Sequence, residues 1–199
     1  MDYEKEIARA LLRIGAVKFC VEEPVTFVSG IRSPVYCDNR KFPFHPKEWH
    51  ILIDAFAQKI KQEKVLFDVV AGVETSGIPH SSALAYLLQK PSVFIRKKAK
   101  EHGTKSRIEG GDVKDKTVLL LEDLVTTGAS SLAVVQALRE AGARVNDCAV
   151  IVTYGFEEAK KAFESSKVNL HVLTSFPTIL REAKMVRQMS QKEKNSVES

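Results

Sequence analysis

The chain is poor in cysteine and tryptophan and has no long apolar run, and each shortage excludes a class of protein. Its three cysteines, Cys20, Cys37 and Cys148, are widely separated in 199 residues. None has the close partner that a zinc or redox motif needs, so free thiols in a reducing cytoplasm are expected. No apolar stretch approaches the roughly 20 residues that a membrane helix requires. The opening Met1-Asp2-Tyr3-Glu4-Lys5-Glu6 is too acidic and polar for a secretion leader, so neither membrane insertion nor export is expected. Low-complexity tracts are also missing. With 44% apolar and 28% charged residues, the composition is that of a folded globular protein of one domain.

A charge excess is present: 30 Lys and Arg against 25 Asp and Glu, a formal +5 with a pI near 9.0. That balance suits a nucleic-acid binder and an enzyme of phosphorylated anions equally, so its distribution decides. Arg96, Lys97, Lys98, Lys100, Lys105 and Arg107 crowd into one Gly-containing stretch. This is the pattern of a basic loop that meets phosphate. No segment before residue 60 reads as a helix-turn-helix, so no nucleic-acid partner is expected.

Ile7, Ala8, Leu11 and Leu12 recur at helical spacing over residues 3–14, and Gly15 closes the pattern. From Val17 to Arg40 short apolar groups alternate around Pro24, Ser29-Gly30 and Ser33-Pro34, as short strands joined by turns do. A helix is predicted over 46–60. Then β-branched runs alternate with helix-length segments: strands at 67–73, 92–95, 117–121, 148–152 and 170–173, with helices over about 78–88 and 130–141. Continuous apolar strands alternating with helices predict an α/β fold with a parallel sheet covered on both faces. The first forty residues lack this rhythm and are expected to form a small cap over one end of the sheet. Residues 1–187 form one domain on this reading, with the core over about 65–175, and 188–199 are a polar tail.

Three stretches could carry chemistry. In Val118-Leu119-Leu120-Leu121-Glu122-Asp123-Leu124-Val125-Thr126-Thr127-Gly128-Ala129-Ser130-Ser131, a buried strand delivers two carboxylates and a Thr/Gly/Ser turn opens a helix. Ligands of open α/β sheets sit at such strand ends. Hydroxyls, free N–H groups and the helix dipole there make a phosphate cradle. Glu122 and Asp123 would repel that phosphate, so they are expected to accept hydrogen bonds from sugar hydroxyls. Taken alone, the acidic pair is explained equally well by a strand end, with Ser130 as a helix cap.

The second stretch, Arg96-Lys97-Lys98-Ala99-Lys100-Glu101-His102-Gly103, has the charge to screen a departing diphosphate. Most runs of this kind are solvated surface loops. The third is Phe27-Val28-Ser29-Gly30-Ile31-Arg32-Ser33-Pro34-Val35-Tyr36-Cys37-Asp38-Asn39-Arg40, for which a structural role is the simpler reading. Between them, Val73-Glu74-Thr75-Ser76-Gly77 joins a strand to a helix through a turn that lets backbone amides approach an anion.

Together, in this order, these motifs resemble those of the orotate phosphoribosyltransferases, type I phosphoribosyltransferases, over residues 5–185. The resemblance implies a type I phosphoribosyltransferase fold with an N-terminal hood. It implies Mg²⁺-dependent transfer of a phosphoribosyl group from phosphoribosyl pyrophosphate to orotate, giving orotidine 5'-monophosphate and pyrophosphate in pyrimidine synthesis. Glu122 and Asp123 would hold the ribose hydroxyls, Val125 to Ser130, with Leu124 leading in, the 5'-phosphate, and Glu74, Thr75 and Ser76 the pyrophosphate. Arg96, Lys97, Lys100 and His102 would act on phosphoribosyl pyrophosphate, the last two across a homodimer interface. Thr126 and Tyr36 would meet orotate. Mg²⁺ would arrive with phosphoribosyl pyrophosphate, held by no cage of protein side chains. A purine or uracil phosphoribosyltransferase, or a regulator sensing the same sugar, shares only the sugar motif. Two positions depart from the family pattern: Val28 stands where many members have Lys, and Val152-Thr153-Tyr154 replaces a segment where many have Arg.

Overall fold

The computed structural model describes residues 2–20, 22–26, 30, 32–96 and 107–185. Its centre is a six-stranded sheet in the order β10-β9-β8-β5-β6-β7. The strands are β5 (Val69–Val73), β6 (Ser92–Ile95), β7 (Ile108–Glu109), β8 (Thr117–Val125), β9 (Arg144–Thr153) and β10 (Asn169–Ser175). All neighbours run parallel except β7, which pairs antiparallel with β6. The predicted parallel sheet and its five strands are therefore present. The sixth, β7, was missed because two residues inside a polar stretch carry no periodic signal.

Helices α1 (Tyr3–Arg13), α2 (Pro46–Gln62), α3 (Gly77–Leu87) and α6 (Phe176–Met185) share one apolar core with the sheet, and α4 (Ala129–Glu140) and α5 (Glu157–Ser165) share the other. Strand β8 feeds both: Leu119 and Leu121 enter the first core, Val118 and Leu120 the second. The two-residue alternation of a strand produces this division, and both faces must be apolar because both are covered.

Helix α1 packs on α6 and β10, and its Ile7, Ala8 and Leu11 are fully buried in the body's core. It belongs to the body, so the cap begins later than residue 1, the start predicted for it. The cap consists of two small antiparallel pairs: β1 (Val17–Phe19) with β4 (Val35–Cys37), and β2 (Val25–Thr26) with β3 (Arg32–Ser33). A 3-10 turn, Asn39–Phe44, leads from the cap into α2.

Candidate active site

The acidic pair lies inside β8, which continues to Val125, and does not end the strand as the sequence predicted. Parallel pairing of Glu122 with Val150 and of Val125 with Thr153 carries the ladder past the carboxylates. Alternation then separates them. Glu122 is 6% exposed. Its Oε2 accepts from the Ser131 hydroxyl at 3.3 Å and its Oε1 from the Asp123 backbone N–H at 3.1 Å. Asp123 is half-buried on the other face, where its charge acts on Cys37 and Arg40 of the cap. The two carboxylates thus do different work: Glu122 ties the strand to the first turn of α4, and Asp123 faces the cap.

Beyond β8 the chain turns through Thr126 and Thr127 into Gly128, whose φ of +84° is left-handed. A Cβ there would stand 2.7 Å from the Phe163 ring, so both backbone and packing require glycine. No side chain caps α4. Its first N–H groups, at exposed Ala129 and Ser130, are left to an anion, in the field of the helix dipole. The turn Glu74-Thr75-Ser76 joins β5 to α3, whose start also lacks a side-chain cap, and its Glu74–Thr75 peptide is cis. Gly77 lets α3 approach β8: a Cβ at this position would meet the Leu121 carbonyl at 2.7 Å. Both predicted anion loops therefore lead off neighbouring strands, β5 and β8, at their carboxyl ends.

Tyr36 is half-buried on β4, and its hydroxyl accepts from Arg40 Nη2 at 3.1 Å. Arg40 also bonds Asp38 at 2.6 Å and holds that carboxyl below the usual range. Arg40 had no role in the sequence reading, yet the charge of Asp123 acts on it. Tyr154, the departure from the family pattern, is buried. Its hydroxyl donates to the Val35 carbonyl at 3.3 Å, its ring stacks on Phe156 with centroids 5.8 Å apart, and burial pushes its phenol well up. It pins the cap to the end of β9. No local signal revealed this, because the partners are 119 residues apart.

Arg96 leaves β6 with its backbone N–H donating to the Arg107 carbonyl at 2.8 Å and its guanidinium 3.9 Å from Glu109. The pair closes the base of the basic stretch. Lys97, Lys100 and His102, and with them Val28 of the N-terminal motif, lie outside the described residues. A groove of about 1070 Å³ runs beside β10 and α5 from Asp147 and His171 to Gly155, and no predicted site residue lines it. All three cysteines are free thiols, and among the described residues no helix is long and apolar enough to cross a membrane.

Residues 45–177 match the phosphoribosyl transferase domain family. Orotate phosphoribosyltransferases from Listeria innocua and Coxiella burnetii are 45% and 42% identical to the chain over 183 residues, covering 92% of it and 88% of each relative. The chain belongs to the orotate phosphoribosyltransferase family. The solved orotate phosphoribosyltransferase of Aeropyrum pernix superposes with a TM-score of 0.77 at 30% identity, covering 90% of this chain and 98% of that one. The six-stranded, mostly parallel sheet flanked by helices is a type I phosphoribosyltransferase domain, and the chain is an enzyme of the glycosyltransferase class.

Proposed function

We propose that the chain transfers the 5-phosphoribosyl group from phosphoribosyl pyrophosphate to orotate, giving orotidine 5'-monophosphate and pyrophosphate for pyrimidine synthesis in the cytoplasm. The observation that carries this reading is the unit of β8, the Gly128 turn and uncapped α4, with Asp123 facing a cap that bears Tyr36. The 5'-phosphate binds the turn at residues 125–130, and the pyrophosphate meets Glu74, Thr75 and Ser76. Asp123 accepts hydrogen bonds from the ribose diol, with Glu122 behind it fixing the strand end to α4.

The orotate ring nitrogen forms a bond to the anomeric carbon as the bond from that carbon to pyrophosphate breaks, and the leaving group departs with the electron pair. The proton on that ring nitrogen passes to an oxygen of the departing pyrophosphate while Thr126 and Tyr36 orient the ring, so no strong base from the protein is needed. Arg96, Lys97, Lys100 and His102 neutralise the departing diphosphate and exclude water. Mg²⁺ fits a site whose donors are hard oxygens. It would arrive with phosphoribosyl pyrophosphate, with no ligand from a protein side chain, and would offset pyrophosphate charge.

The active unit is a homodimer. Phe44 and Tyr86 are 85% and 89% exposed, and Leu87 joins Pro46, Trp49 and Ile53 around a shallow apolar groove on α2 and α3. A patch of this kind marks an interface, and a second copy supplies Lys100 and His102 across it. The test follows loss of orotate absorbance with phosphoribosyl pyrophosphate and Mg²⁺. Lys100→Ala and Asp123→Asn should each be nearly inactive alone. Mixed and re-equilibrated, they should recover about a quarter of wild-type activity, because half the dimers then carry one intact site. Full activity in Lys100→Ala would overturn the loop's role, and no recovery on mixing would overturn shared sites.

A further inference from the structure

Asn39 is fully buried between the cap and the sheet, and its side chain joins them. Its Nδ2 donates 2.9 Å to the backbone carbonyl of Asp123, across 84 residues of sequence, and its Oδ1 accepts from the Cys37 thiol at 3.5 Å. Burial, with the charges of Asp123 and Asp38, pushes that thiol up to about 12, so it stays a donor and fixes which way the amide points. Behind Asn39 stands His80, also fully buried, whose Nδ1 accepts from Trp49 Nε1 at 3.1 Å. The ring proton is then on Nε2, a buried N–H with no hydrogen-bond partner among the described residues. The Phe42 edge closes the same pocket, with ring centroids 6.1 Å apart. The Asn39 side chain is therefore held by Cys37 at its oxygen, and its amide nitrogen donates to the residue that faces the ribose.

We infer that Asn39 is a positioning residue, whose side-chain amide holds the Asp123 backbone so that the Asp123 carboxylate meets the ribose hydroxyls. The inference rests on the reading of Asp123 given above. Strand β8 goes on pairing with β9 through Leu124–Val152 and Val125–Thr153, so the Asn39 amide adds a tie from the cap side to a strand already held by its ladder, and losing that tie lets the Asp123 backbone shift relative to the cap. Asn39 touches no reacting atom and acts only through Asp123.

The test compares Asn39→Asp with wild type and with Asp123→Asn, measuring KM for each substrate and kcat from pH 8 to pH 6. Asn39→Asp keeps the shape and removes the donor. At pH 8 the KM for phosphoribosyl pyrophosphate should rise about tenfold over wild type, the scale of one lost hydrogen bond, while the KM for orotate changes less than about twofold. Burial beside Asp123 raises the pKa of the introduced carboxyl. As it protonates towards pH 6 it regains a donor, so the defect relative to wild type should shrink. Equal losses for both substrates at every pH, or none in Asn39→Asp while Asp123→Asn is impaired, would overturn the inference. An unchanged KM in Asp123→Asn would instead overturn the ribose role of Asp123. Thermal melting of each variant separates these outcomes from misfolding, and Asn39→Ser, a shorter donor, should show a partial defect without pH recovery.

Discussion

The body and the cap of this enzyme solve the problem of holding a strand in opposite ways. Strand β5 is buried at every residue, and β8 is buried at six of its nine positions. Those strands are held by apolar area on both faces, contributed along their whole length. The cap strands are two or three residues long and pair only in twos, and β1 and β2 bury no residue fully. Pairs that small are marginal by themselves, so the cap depends on polar pins: Asn39 to the Asp123 carbonyl and Tyr154 to the Val35 carbonyl. Stability resides in the body, and the placement of the substrate resides in the pins.

The contrast can be broken most forcefully in the body. Leu120→Ala, at a fully buried site, should cost about 3 kcal/mol of unfolding free energy. Val25→Ala in the cap should cost under about 1 kcal/mol. Urea denaturation of both variants measures the difference, and similar costs would mean that the cap carries a core of its own.

His80, at the seam between the two regions, gives an effect of nearly the same size that depends on pH. Burial lowers its pKa from 6.5 to about 4, so the folded state favours the neutral ring. Its contribution is complete above pH 6.5 and is lost as pH falls towards 4, because the unfolded chain takes up a proton that the folded chain refuses. About 3 kcal/mol should disappear across that window. Melting curves from pH 7 to pH 4 should show it, and in His80→Gln the slope between pH 6.5 and pH 4.5 should flatten.

Tyr154→Phe sharpens the comparison at its smallest scale. It removes the hydroxyl that donates to the Val35 carbonyl and keeps the ring stack. A loss of about 1 kcal/mol is expected, with faster amide exchange confined to residues 32–38 and a KM for orotate raised by a few-fold. Faster exchange spread evenly through β9 and β10 would place Tyr154 in the body's stability and not in the cap's.

The body was legible in the sequence because its physics is local and repetitive. Apolar runs of four to seven residues, separated by amphipathic helices, announced a covered parallel sheet, and the string from Val118 to Ser131 gave both the strand and the phosphate turn. What stayed hidden depends on distant partners. Glu122 and Asp123 read as an equivalent pair until the strand proved to extend to Val125 and turned them to opposite faces. Helices α5 and α6 follow Gly155 and Ser175 without the strong markers that flagged α4. Asn39, His80 and Tyr154 were given no such role: an asparagine after a short strand is unremarkable until a carbonyl 84 residues away is found against its amide.

The most direct test of the account is base selectivity in a single reaction mixture. Wild-type enzyme with phosphoribosyl pyrophosphate and Mg²⁺ would be offered orotate, uracil and hypoxanthine together, and the nucleotides formed separated and quantified. The account predicts orotidine 5'-monophosphate as the dominant product, with pyrophosphate released in equal amount. Formation of uridine or inosine monophosphate in its place would keep the sugar site and contradict the assignment of orotate to the pocket between Tyr36 and Thr126.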